Sequence, residues 1–113
     1  MLLYRFAGLD MGNGKGATYM AWIHVRHRVG DYNRWKEVFD GLSELKMRYG
    51  WKRYRLFQMA GDRNDLLVME EFGTVEQARG FMESQELREA MQLAGVVGVP
   101  EASLLLGLEE GTP

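Results

Sequence analysis

At Gly30 the spacing of apolar residues changes from every second position to every third or fourth, and that change defines the first two elements. Residues 20–29 read MAWIHVRHRV, with Ala21, Ile23, Val25 and Val29 on one parity and Trp22, His24, Arg26 and Arg28 on the other. Such alternation predicts a strand with one apolar face. Beyond Gly30, Asp31 stands where a helix N-cap belongs, and Tyr32, Trp35, Phe39, Leu42, Leu45 and Tyr49 recur at threes and fours up to Gly50. That stripe predicts an amphipathic helix of about 19 residues.

The remaining segments repeat the theme. WKRYRLFQM, residues 51–59, predicts a strand with Trp51, Arg53, Arg55, Phe57 and Met59 on one side. Gly61, Asp62, Asn64 and Asp65 supply turn chemistry before a third strand, LLVMEEF at 66–72, so the two strands form a hairpin. Thr74 with Gln77 has capping-box spacing and opens a helical region that turns Ala78, Phe81 and Met82 inward. Ser84 re-caps a second piece carrying Leu87, Met91 and Ala94, which stops at Gly95; ASLLLGL, residues 102–108, is the last strand. The order is βαββαβ, an α+β ferredoxin-like arrangement: a four-stranded antiparallel sheet with its helices on one face.

A chain of 113 residues has room for one such core, placed here at residues 20–110, with 111–113 as a tail. Residues 1–19, MLLYRFAGLDMGNGKGATY, read as a flexible leader, with Met11 and Met20 as alternative starts. Its glycine cluster does not form a phosphate loop: the lysine precedes Gly16 rather than Ser or Thr, and Leu9 stands where the first loop glycine belongs. The absence of cysteine excludes disulfides, thiolate catalysis and cysteine-ligated metal, and permits a reducing compartment. No apolar run approaches the roughly 18 residues of a membrane span. A net charge of −2 disfavours nucleic acid, although residues 1–55 carry 11 Lys and Arg against 5 Asp and Glu whereas 56–113 carry 3 against 11. The expectation is a cytoplasmic protein without nucleic-acid or membrane partners.

Leu66 to Met69 and Leu104 to Leu106 are apolar on both parities, whereas a half-solvated sheet alternates. A four-strand face of roughly 400 Å² is near the largest apolar patch a monomer leaves bare. A second copy packed sheet to sheet is the simplest cover, giving a homodimer.

The passage HVRHRVGDYNRWKEVFD, the strand end EEF leading into TVEQARGFMESQELREAMQLAGVVGVPE, and the doubly apolar sheet resemble the dimeric α/β-barrel superfamily. The nearest likeness is to small bacterial proteins with antibiotic-biosynthesis monooxygenase-like domains. The resemblance spans residues 20 to about 109 and implies a dimeric barrel. It also implies activities that range from cofactor-free oxygenation of polycyclic aromatics through haem degradation and isomerisation to stress response. The haem-binding members place their ligating histidine on a helix, which His24 and His27 do not match; stress-responsive members carry a first-strand histidine, which His24 resembles.

His24 and His27 are three residues apart on a strand, hence on opposite faces and about 10 Å apart along it, which excludes a shared metal. His27 shares the apolar parity and reads as a strand-end residue bonded to backbone or water. His24, on the mixed parity with Trp22 and Arg26, is the candidate base, and Arg26 and Arg55 are candidate cations for an anionic intermediate. Trp22, Trp51, Phe57 and Phe72 are candidates to stack a flat ligand. Bland readings stand beside these: His24 as a satisfied interface residue, Arg26, Arg53 and Arg55 pairing with Glu70 or Glu71, and the aromatic rings as core. The expected function is a pocket between sheet and helices for a small apolar or aromatic molecule, with no bound cofactor or metal. It would act as a monooxygenase, isomerase or cyclase, as a non-catalytic binder, or as a purely structural dimer.

Overall fold

The computed structural model describes the backbone of residues 5–7 and all of residues 20–113. Nine elements follow in order: β1 (Arg5–Ala7), β2 (Ala21–Val29), α1 (Tyr32–Gly41), α2 (Ser43–Arg48), β3 (Trp51–Met59), β4 (Asp62–Phe72), α3 (Val75–Met82), α4 (Gln85–Ala94) and β5 (Val96–Leu106). The sheet order is β1-β5-β2-β4-β3. Its last four strands are mutually antiparallel, which is the ferredoxin-like sheet expected, with the helices on one face. The addition is β1, which lies within the segment read as a leader and pairs in parallel with β5 from Arg5↔Glu101 to Ala7↔Ser103. The rest of that segment lies outside the described residues. Among the described helices none is long and apolar enough to cross a membrane.

Capping follows the sequence closely. The Asp31 side chain accepts from the Asn33 N–H, Thr74 from Gln77 and Ser84 from Leu87, while Gly95 ends α4 at φ 75°. Ser84 is buried, and its hydroxyl also donates to the Phe81 carbonyl at 2.8 Å, so one side chain joins α3 to α4. Ser84→Ala is expected to lower the unfolding free energy by about 1–2 kcal/mol, read as a lower midpoint in chemical denaturation; an unchanged midpoint would show that the link contributes nothing.

Three boundaries differ from expectation, each for a local reason. The single long helix is two, because at Leu42 the backbone tightens to φ −90°, ψ 2° and its N–H bonds back to Phe39 before Lys46 N–H restarts the ladder on the Leu42 carbonyl. The turn residues Asp62 to Asp65 are strand: Met59 pairs with Asp62, and Gly61 at φ 87° supplies the reversal in the two-residue link. The last strand begins at Val96 rather than 102 and ends at Leu106, accommodating Gly98 at φ 76° near a shift of register between Arg26 and Arg28.

The core lies between sheet and helices. Ala21, Ile23, Val25, Phe72, Phe81 and Leu104 form its larger part, and Val29, Trp35, Phe39, Leu66 and Val68 a second cluster beside it.

Candidate functional site

Inside this core a cavity of about 60 Å³ opens between the sheet and the helices. Its wall is mostly apolar, with Trp35, Phe39, Phe81 and Ala90 among the lining residues, but three polar side chains break it: His27, Lys46 and Glu70. Each is there by periodicity. Lys46 continues the α1–α2 stripe, four residues after Leu42 and seven after Phe39, so a cation takes a position the helix turns inward. Glu70 has the parity of Leu66, Val68 and Phe72, and His27 that of Ile23 and Val25.

Lys46 is only 1% exposed. Its Nζ lies 2.8 Å from Glu70 Oε2 and 3.5 Å from the centre of the Phe39 ring, with Trp51 at 5.1 Å. The 2.8 Å carboxylate contact is an ion pair. Burial pushes the ammonium below its ordinary pKa, and the charge of Glu70 opposes the shift. His27 packs its ring at 5.5 Å from Trp35, and both its nitrogens are buried without a hydrogen bond to any described residue, backbone included. Burial lowers its pKa to about 4, against the pull of Asp65, so the ring is neutral near pH 7 and brings one donor and one acceptor to the wall. An imidazole, a carboxylate and an ammonium thus share one small, mostly apolar space.

The opposite, open face of the sheet holds most of the residues singled out from sequence. His24 is half-buried there, opposite Ser103 and Met69, and Met69 in turn faces Arg55. His24 and Arg55 therefore flank Met69 in one row, about 10 Å apart across two strand spacings. Arg55 lies over the Phe57 ring at 5.2 Å and makes no ion pair with a described residue. Arg26 is occupied: its Nε and Nη2 reach Asp65 at 3.3 and 3.0 Å. Arg53 binds Glu71 at 2.8 Å and sits over Trp22 at 5.4 Å. Trp22, Arg55, Met69 and Leu105 line a broad groove of about 750 Å³ on this face.

The four candidate stacking rings are not brought together. Trp22 and Phe57 are on the open face, whereas Phe72 is fully buried among the core residues and stacks on Phe81 at 5.6 Å. Trp51 was expected beside Arg53, but a shift of register between the two turns it to the helix side, where it stacks on Tyr54 at 5.3 Å. Lys46 and Glu70 were missed as site residues. The available signal was a charge interrupting an apolar stripe on the helix and another on the apolar parity of a strand, which together mark a buried pair.

No family model matches the chain, and no curated protein matches it. Solved structures do. A protein of Nitrosomonas europaea provisionally named an antibiotic biosynthesis monooxygenase superposes with a TM-score of 0.66 at 19% identity, over 80% of this chain and 92% of its own. A Bordetella bronchiseptica protein of the same provisional name gives 0.68 at 15%, over 80% and 99%. SnoaB of Streptomyces nogalater, a cofactor-independent oxygenase, gives 0.67 at 13%, over 83% and 97%. Over about four-fifths of its length the chain has the fold of the antibiotic biosynthesis monooxygenase-like proteins.

Proposed function

We propose that the chain binds a small apolar molecule carrying one acidic O–H or C–H in the cavity between sheet and helices, where His27 and the Lys46–Glu70 pair hold or move its proton. The observation that carries this reading is the presence of three buried polar side chains on one otherwise apolar wall. Groups of this kind are costly to bury and concentrate where pKa values are tuned for proton transfer. SnoaB, of like fold, is named a cofactor-independent oxygenase, and proton removal from an electron-rich substrate is a step that these residues could supply without a resident cofactor.

The cavity is less than half the roughly 150 Å³ that accepts benzene. A monocyclic ligand enters by displacing wall side chains, of which Met82 is an adaptable one. Titration with phenol, followed by tryptophan fluorescence because Trp35 lines the cavity, is expected to give a saturable change that Ala90→Leu abolishes by filling the space. A non-saturating response, or one equal in the Ala90→Leu protein, would refute the reading.

A second reading keeps His24 and Arg55 as the working residues on the open face, covered by a second copy packed sheet to sheet. It is favoured by the exposure of Leu105 in the groove and of Phe57, whose ring lies against the groove residue Arg55. Analytical ultracentrifugation tests the pairing, and a concentration-independent monomer would eliminate it.

A further inference from the structure

We propose that Lys46 is a nucleophile that condenses with the carbonyl carbon of a small aliphatic aldehyde or ketone to form an imine within the cavity. This rests on the cavity being a ligand site and narrows its occupant to a carbonyl compound.

Three observations converge on the amine. First, Lys46 lines the cavity, a space of about 60 Å³ that suits a short aliphatic carbonyl compound better than a ring. Second, its surroundings serve a group that changes charge better than one that is permanently charged. An ammonium presents three donors, yet among the described residues Nζ has one polar partner, Glu70, and otherwise meets the faces of Phe39 and Trp51. Third, the partner is a carboxylate at 2.8 Å, which is the group that can take a proton from the amine and return it. Desolvation of the ammonium acts in the same direction, raising the share of free amine.

The step balances without an external oxidant or reductant. Glu70 takes one proton from the Lys46 ammonium, and the freed lone pair forms a C–N bond to the carbonyl carbon while the C=O π pair moves to oxygen, which receives that proton from Glu70. The nitrogen, now positively charged with two N–H, gives its second proton to Glu70, leaving a neutral carbinolamine. The nitrogen lone pair then forms C=N as the C–O bond breaks, and the hydroxyl takes the second proton back from Glu70 and leaves as water; the third N–H proton stays on the protonated imine, C=N(H)–Lys46, beside the Glu70 carboxylate. One molecule of water is released for each imine formed, and the apolar wall favours its departure.

The test uses the full-length protein with propanal and cyanoborohydride at neutral pH, for times that leave most lysines unmodified. Peptide mass spectrometry then measures alkylation at Lys36, Lys46 and Lys52. Burial of the ammonium raises the share of free amine, so Lys46 is expected to be modified faster than Lys36 and Lys52 despite being buried, and the preference is expected to vanish in Ala90→Leu. Equal or slower modification of Lys46 overturns the imine assignment. If phenol still binds saturably, that failure belongs to the imine alone; if phenol also fails to bind, the cavity is no ligand site and both readings fall.

Discussion

Lys46→Met alone is expected to lower the unfolding free energy by about 3–5 kcal/mol, whereas the double variant Lys46→Met/Glu70→Leu recovers most of the loss. The asymmetry follows from burial. Lys46 and Glu70 have residual exposures of 1% and 6%, and their contact is 2.8 Å. Removing one partner leaves the other charge in the core with nothing to compensate its desolvation. Replacing both with apolar groups of similar volume removes two desolvation costs together, and in other proteins such exchanges are neutral or stabilising. Chemical denaturation of the two single variants and the double variant measures the coupling directly. Additive single losses would show that the two groups do not interact in solution. If the double variant is as stable as the parent while the pair is needed for phenol binding or propanal modification, the pair is kept for chemistry and not for stability.

The second large effect is a dependence of stability on pH that belongs to His27. Its folded pKa is about 4, depressed from an ordinary 6.5 by burial. The unfolded chain therefore binds a proton at a higher pH than the folded one. Stability is unaffected by this group above about pH 6.5, falls as pH drops from 6.5 towards 4, and levels off below it. The full span corresponds to about 3 kcal/mol. Asp65, whose carboxylate is held below its usual pKa by Arg26, adds a loss of the same sign only at lower pH, as it becomes protonated. His27→Phe keeps a ring against Trp35 while removing two buried nitrogens that no described residue hydrogen-bonds, so the variant is expected to lose the slope between pH 6.5 and 4 and to gain stability at pH 5 relative to the parent. Urea melts at intervals of half a pH unit decide the matter. A slope unchanged in His27→Phe would place the titration elsewhere.

The fold was legible because its signals are periodic and local: the alternation of residues 20–29, the stripe from Tyr32 to Tyr49, and the caps Asp31, Thr74, Ser84 and Gly95 all appear as expected. The interior site was less legible, since parity says which face a residue occupies but not which face holds the cavity. His24 lies on the open face its parity predicts, while the cavity described lies on the other side of the sheet, where His27 shares the apolar parity. Trp51 shows a second limit: a one-residue register shift reverses facing, and alternation counted through residues 51–53 cannot reveal it. Lys46 was overlooked because a lysine in a helix is ordinarily solvent-facing, although its place on the stripe marked it as an exception.

The fifth strand alters how this sheet would meet another molecule at its borders. With β1 alongside part of β5, the opposite border of the sheet among the described elements is β3. That margin bears Lys52, Arg53 and Arg55 within four residues, and among the described residues only Arg53 of these has an acidic partner. Two such margins brought together would set like charges against each other, a device by which sheet proteins resist stacking end on end into fibres. Neutralising Lys52 and Arg55 together should therefore reveal itself less in the melting curve than in the turbidity of a concentrated, unstirred sample.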